Sequence, residues 1–138
     1  MSSQQLGIWA EDQTEKVLIS QGYIVLARNF HSRYGEIDLI AQRDLELVFV
    51  EVKARSKTTY ASALESISSS KQIKIAKTAM SFLQKFPSYT EFYYRFDVFC
   101  FDFHKKIAKP LQHEISDIDY DLEWIENAFT INADLINL

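Results

Sequence analysis

Gly35-Glu36-Ile37-Asp38-Leu39-Ile40-Ala41-Gln42, followed by Leu45-Glu46-Leu47-Val48-Phe49-Val50-Glu51-Val52-Lys53-Ala54, is the stretch that decides the fold. Each segment alternates in the period of two that a β-strand imposes. In the first, Ile37, Leu39 and Ala41 alternate with Glu36, Asp38 and Ile40. In the second, Leu45, Leu47, Phe49, Glu51 and Lys53 share one face, and Glu46, Val48, Val50 and Val52 the other. Arg43-Asp44 between them is polar enough for a tight turn, although no glycine is present to favour the usual hairpin types. A hairpin turning at Asp44-Leu45 sets Arg43 opposite Glu46, Gln42 opposite Leu47, Asp38 opposite Glu51 and Glu36 opposite Lys53. Opposed residues point to the same face with Cβ atoms about 5 Å apart. A one-residue slip would carry Asp38 off the Glu51 face.

The expected cluster of Asp38, Glu51, Lys53 and Glu36 sits in an otherwise apolar strand pair. Two carboxylates this close repel each other unless a cation lies between them. Converging carboxylate oxygens suit Mg²⁺ (or Mn²⁺), which is held by one or two carboxylates, waters and substrate phosphate. Such a metal polarises a phosphoryl oxygen and acidifies an attacking water. Lys53 would orient that water or stabilise charge in the transition state. The competing reading is a cross-strand ion network in which Lys53 neutralises Glu51 and Glu36.

Outward from the hairpin, Leu6 to Gln21 reads as a helix with Leu6, Trp9, Ala10, Gln13, Val17 and Leu18 on one face, ended by Gly22. Tyr23 to Leu26 is a short β-rich run, and Arg28 to Tyr34 a polar loop or irregular strand. Thr58 to Ser70 is a Ser/Thr-rich loop. The spacing of Ser69 and Gln72 matches a capping box. It opens a helix from Ser70 to Lys85 that buries Ile73, Ala76, Met80 and Leu83, with Pro87 beyond its end. Tyr93 to Phe103 is a third strong strand, Lys105 to Pro110 a turn and His113 to Ile115 a short final strand. Asp121 to Ala128 reads as a short helix. The order α-β-β-β-α-β predicts an α/β fold with a mixed sheet. No repeat or linker divides it, so one domain over residues 1–138 is expected, with 130–138 as a tail.

The 138 residues are 47% hydrophobic, enough for a core and too apolar for a disordered chain. No run approaches the roughly 20 apolar residues of a membrane span, and Met1 to Gln5 lacks the features of a signal peptide, so a cytoplasmic location is expected. Cys100 is the only cysteine. It rules out an intrachain disulfide or a Cys-based zinc site, and between Phe99 and Phe101 it reads as a core thiol. His31, His104 and His113 share no ligand spacing and read as surface or loop residues.

The net charge is −4, but it is unevenly spread. Residues 52–85 carry seven Lys/Arg against one Asp/Glu, whereas 1–51 carry four against eight and 86–138 four against ten. A phosphate backbone responds to the local field, so the basic middle third is a candidate nucleic-acid surface as well as a solvated helix face. Arg28, Arg33, Arg55, Lys57, Lys71, Lys74 and Lys77 would line a groove that tracks phosphates without reading bases. Tyr34 and Tyr60 are candidates to stack on an exposed base. The acidic stretch from Glu114 to Glu126 is expected away from the nucleic acid.

Asp38 followed by Glu51-Val52-Lys53 on consecutive strands resembles the PD-(D/E)XK nuclease superfamily, with Ile37 where that string has proline. The longer text resembles the YraN family of small bacterial proteins. It comprises residues 35–41 and 47–55, Gly7 with Ala10-Glu11, Gly22-Tyr23 with Arg28-Asn29-Phe30, Lys71, Arg95-Phe96-Asp97-Val98 and Glu126-Asn127-Ala128-Phe129. The resemblance spans roughly residues 7 to 129. It implies a restriction-endonuclease-like mixed sheet flanked by helices, similar to archaeal Holliday junction resolvases. It also implies a glutamate from the first helix completing the site, matched by Glu11, with Glu15 one turn on as competitor. Asp38, Glu51 and Glu11 would then be metal ligands, with Lys53 catalytic. Lys71 or Gln72 would contact the substrate or the metal-bound water.

The expected function is a Mg²⁺-dependent endonuclease acting on DNA, selective for branched or damaged structure, with a homodimer implied by the resolvase likeness. The alternatives are a nucleic-acid-binding module of the same fold with little catalysis, and an adaptor using the aromatic strand Phe92 to Phe103.

Overall fold

A computed structural model describes residues 2–56, 61–104 and 119–132. The elements run α1 (Ser3–Ser20), β1 (Ile24–Ser32), β2 (Gly35–Arg43), β3 (Glu46–Ser56), α2 (Ser69–Lys85), β4 (Tyr93–Phe103) and β5 (Tyr120–Phe129). Short 3₁₀ turns at Leu64–Ser66 and Pro87–Tyr89 flank α2. The strands form one sheet in the order β1-β2-β3-β4-β5. Only β3 and β4 are parallel, in unbroken register from Glu46↔Tyr93 to Ser56↔Phe103, and α2 is carried in the crossover between them. This is a mixed five-stranded sheet flanked by two helices, an α/β arrangement consistent with a restriction-endonuclease-like domain. No helix among the described residues is long and apolar enough to cross a membrane.

The helices cover opposite faces. Trp9, Ala10 and Leu18 of α1 pack on Leu39, Val48, Val50, Phe99 and Phe101. Ile75, Ala76, Ala79 and Phe82 of α2 pack on Ile37, Ile40, Phe49, Phe96 and Val98. With both faces covered, Leu47 to Val50 is buried throughout and reads as continuous apolar sequence. Cys100 is buried, as expected of a core thiol. Most of β4 is interior to the sheet, which explains the aromatic residues from Phe96 to Phe103 by packing, whereas Tyr93 and Tyr94 at its start are exposed.

Several boundaries differ from the sequence reading. Helix α1 buries Thr14, not Gln13, and the Thr14 hydroxyl donates to the Ala10 carbonyl at 2.8 Å. Its C-terminal Gly22 takes φ +89°, the left-handed position a helix stop requires. Strand β1 continues through Arg28 to Ser32, the irregular strand of the two expected alternatives, and runs on without a break from the short run expected at Tyr23 to Leu26. As an edge strand it tolerates polar residues, and a register shift between Val25 and Ala27 disrupts its alternation. Helix α2 is capped by Ser68, whose hydroxyl accepts from the Lys71 N–H at 3.1 Å, one residue before the expected cap. Its buried stripe is Ile75, Ala76, Thr78, Ala79 and Phe82. Ile73, Met80 and Leu83 lie at the margins because Ile75, Ala79 and Phe82 set the phase against the sheet.

The largest correction concerns residues 121–128, a strand and not a helix. Leu122, Ile125, Ala128 and Phe129 are spaced as on a helix, but Leu122 pairs with Phe101 of the α1-side core and Ile125 with Val98 of the α2-side core, and only beyond Ile125 does a bulge add Ala128 and Phe129 to the Ile125 face. Asn127 has φ 50°, and the β4–β5 register shifts between Phe96 and Val98. Tyr120 and Trp124 therefore pack on the α1 side, while Ile125, Ala128 and Phe129 pack on the α2 side. The expected turn at 105–110 and strand at 113–115 lie outside the described residues.

Candidate active site

The β2–β3 hairpin has the register read from the sequence, with Arg43↔Glu46, Gln42↔Leu47 and Leu39↔Val50. Asp44 supplies the left-handed turn position at φ 53° in place of a glycine. Aspartate tolerates this region because its short side chain bonds locally. The recorded backbone ladder begins at Leu39↔Val50. Beyond it, the Asp38 carboxylate itself accepts the Val52 N–H at 2.8 Å.

Alternation also fails across Asp38. Leu39 belongs to the α1-side cluster and Ile37 to the α2-side cluster, although they are two residues apart. In the neighbouring strand Asn29 has φ 52°, so both strands change phase at the same level. The two irregularities release Asp38 from strict sheet geometry and open a cleft where the strands part. Gly7 and Glu11 of α1, Asp38, Glu51, Lys53 and Lys71 line this cleft of about 340 Å³. A Cβ on Gly7 would meet nothing within 4 Å, so the absence of a side chain there leaves the cleft wall low.

Loss of solvent makes the two carboxylates unusual, and like charge adds to it at Asp38. Asp38 is pushed up to about 7, first by burial and then by the charge on Glu51, against the lowering effect of the Val52 N–H. Glu51 is only 5% exposed and is also raised, again chiefly by burial, with Lys71 and Lys53 pulling it back. The Lys71 ammonium lies 3.0 Å from Glu51. Burial lowers the pKa of Lys71, but Glu51 and Asp38 outweigh this and leave it raised. Glu36 does not complete the expected foursome. It lies on the surface 3.4 Å from His31, and acts on Glu51 and Lys71 only through its charge.

The signature of a family described as "Uncharacterised protein family UPF0102" matches residues 10–101. The chain belongs to the UPF0102 family. A UPF0102 protein of Acinetobacter baumannii strain AYE is 58% identical over 130 residues, covering 94% of this chain and 98% of the relative. One from Acinetobacter baylyi is 55% identical over 126 residues, 91% of this chain and 90% of the relative. One from Saccharophagus degradans is 40% identical over 128 residues, 93% and 95% respectively. The UPF0102 match encloses every charged residue of the cleft from Glu11 to Lys71.

The remaining candidate residues of this UPF0102 chain divide into two groups. Some are taken up by internal partners. Arg28 reaches Asp12 at 2.8 Å, Glu15 at 3.1 Å and Glu11 at 3.2 Å. Asn29 adds a bond to Glu11 at 3.4 Å. Arg55 is held by Asp102 at 2.5 Å and by the Ser62 carbonyl at 3.1 Å. Gln72 turns back to the Ile67 carbonyl at 3.1 Å. The others are outward. The Arg33 guanidinium lies 4.9 Å from the Tyr34 ring centroid, and the Lys77 ammonium 5.3 Å from it. Lys74 sits beside Gly35 on the same flank. Lys57 and Tyr60 lie outside the described residues. Sequence reading missed Asp12 and Glu15 as holders of Arg28, and Gly7 as part of the cleft wall. The partners of Arg28 sit on another element, and only the folded chain joins them.

Among the described residues no three His, Cys, Asp or Glu side chains come together as a metal-holding group. Asp38 and Glu51 are nevertheless a fitting donor pair. Both are acidic oxygen ligands, the charge on Glu51 raises Asp38, and Mg²⁺ needs only one or two carboxylates with water and phosphate completing its shell. Glu11 faces the same cleft from α1 and contributes to the repulsion on Asp38.

Proposed function

We propose that this UPF0102 protein is a metal-dependent endonuclease that hydrolyses phosphodiester bonds in DNA and responds to structure more than to base sequence. One observation carries the reading. The buried Glu51 carboxylate and the half-buried Asp38 carboxylate, whose pKa Glu51 raises, share an open cleft with two ammonium groups at the point where the strands part. Asp38 and Glu51, with Glu11 opposite, would hold Mg²⁺ or Mn²⁺. The bound cation would supply Lewis-acid polarisation of a phosphoryl oxygen and a more acidic water. Lys53, fixed by its place in the β3–β4 ladder, would orient the water and offset charge on the phosphorus. Lys74, Lys77 and Arg33 flank the α2 side and would carry the phosphate backbone onward, with Tyr34 between two cations as a stacking surface.

A second reading, a DNA-binding module with little catalysis, draws on the pairing of Glu51 with Lys71 and of Glu11 with Arg28. A cleavage assay separates the two. Wild type, Lys53→Met and the double variant Glu51→Ala, Lys53→Ala are incubated with duplex, single-stranded, flap and four-way-junction DNA, with and without Mg²⁺ or Mn²⁺. Metal-dependent cutting by wild type is expected, reduced on the order of 10²–10³-fold in Lys53→Met and lost in the double variant. Equal, salt-sensitive binding by wild type and double variant with no cutting of any substrate would favour the binding module.

A further inference from the structure

We infer that Lys71 is an exchangeable counterion: it occupies Glu51 until a divalent cation displaces it, and its ammonium then passes to the substrate phosphate. The inference rests on the metal-dependent reading of the cleft. The Glu51 carboxylate is 5% exposed, whereas the Lys71 side chain 3.0 Å away is 46% exposed. The acid is fixed and the base is free to swing outward. Lys53, the other ammonium of the cleft, springs from β3 opposite Cys100 and has no such close pairing with Glu51 among the ion pairs of the described residues.

The position of Lys71 opposes its helix. Its N–H is the one that the Ser68 cap accepts, so it lies in the first turn of α2, which contains no acidic residue. A cation there meets the positive end of the helix dipole. Glu51 holds it against that preference. Once Glu51 is occupied by a stronger cation, the dipole favours departure of the ammonium toward an anion.

The charge count of the cleft gives the departure a direction. Glu11, Asp38 and Glu51 face two ammonium groups, Lys53 and Lys71. With all of them ionised the cleft is net negative and repels a phosphodiester. Adding a dication reverses the sign. Lys71 also heads a series with Lys74 and Lys77, spaced about 4.5 Å apart in rise along α2, that leads to Tyr34 and Arg33. A displaced Lys71 therefore joins an existing phosphate track. Metal and DNA should each strengthen the binding of the other, because coupling between two ligands is reciprocal.

The test is calorimetric titration of Mn²⁺, without DNA, into wild type, Lys71→Met and Lys71→Arg. Anisotropy of a labelled duplex, with and without Mn²⁺, is then followed in a Lys53→Met background to suppress cutting. Lys71→Met is expected to bind Mn²⁺ on the order of tenfold more tightly than wild type. It should also lose the enhancement of duplex affinity by Mn²⁺, while Lys71→Arg keeps wild-type behaviour in both. Thermal melts confirm that the half-exposed variants are folded. If wild type binds Mn²⁺ and Lys71→Met binds it no more tightly, Lys71 is an ordinary partner of Glu51 and the exchange is wrong. If no variant binds Mn²⁺, the metal-dependent reading falls, and the exchange with it.

Discussion

Asp97 and Asp38 are both aspartates of the sheet, the first buried and the second half-buried, and the protein treats them in opposite ways. Asp97 is 0% exposed. It accepts from Arg95 Nε at 3.0 Å, Arg95 Nη2 at 3.3 Å, Trp124 Nε1 at 2.9 Å and the Asn127 N–H at 2.9 Å. Arg95 is in turn held by Glu46 and by the Tyr23 hydroxyl. The network joins β3, β4, β5 and the residue preceding β1, and it fixes the bulge at Asn127. Asp38 receives the Val52 N–H and faces Glu51, a like charge. A carboxylate whose charge is matched locally stabilises a fold, whereas one set against its like is a candidate for binding a cation, as proposed for Asp38.

The comparison breaks first, and hardest, at Asp97. Asp97→Ala leaves Arg95 Nε and the Trp124 and Asn127 N–H groups without their acceptor, while Arg95 keeps Glu46 and Tyr23. A loss of about 3–5 kcal/mol is expected, the usual cost of removing one partner of a buried pair. Urea unfolding followed by tryptophan fluorescence measures it. A loss below about 1 kcal/mol would mean that water replaces the carboxylate and that Asp97 is no structural hub.

Asp38 should change stability in the opposite direction. Between its ordinary value of 3.8 and about 7, the folded protein binds this proton more tightly than the unfolded chain does. Stability therefore falls as pH rises through that window, and the raised Glu51 adds in the same sense. Asp38→Asn removes the titration and can still accept from Val52. Above pH 7 it should be more stable than wild type by about 2 kcal/mol, with the gap closing toward pH 4. Mn²⁺ should raise the melting temperature of wild type more than that of the variant. An Asp38→Asn protein less stable than wild type at pH 8 would place Asp38 in the same class as Asp97.

The sequence distinguished these two aspartates only in part. The hairpin was legible because both strands alternate and a short polar turn joins them, so the Gln42↔Leu47 register could be read directly. The opening of the strands was not. It depends on left-handed backbone at Asn29 and on the Asp38 side chain replacing a backbone rung, neither of which alters composition. Residues 121–128 misled for a related reason, since Leu122 and Ile125 belong to opposite faces of the strand and a bulge at Asn127 sets Ala128 beside the Ile125 face, which together imitate helical spacing. The basic residues were legible as a patch, but their assignment to internal or outward roles was not. Arg28 and Arg33 look alike in sequence, and only the packing of β1 on α1 brings three carboxylates to Arg28.

Arg28 gives the smallest effect and the finest test of the comparison. Like Arg95 it is held by carboxylates, but it is 29% exposed, and one of its partners, Glu11, lines the cleft. Its partners Asp12 and Glu15 are themselves partly exposed, at 48% and 31%. Solvent and salt should therefore screen these pairs, as they cannot screen the Asp97 network. Arg28→Gln leaves Glu11, Asp12 and Glu15 to repel one another along α1, yet the expected loss is only about 1 kcal/mol. Most of it should disappear in 1 M NaCl, where the Debye length shrinks to about 3 Å, while the loss from Asp97→Ala persists. If the Arg28→Gln loss instead approaches that of Asp97→Ala and resists salt, the Arg28 cluster is as tightly matched as the interior. Glu11 would then be held by the fold and not kept for a cation.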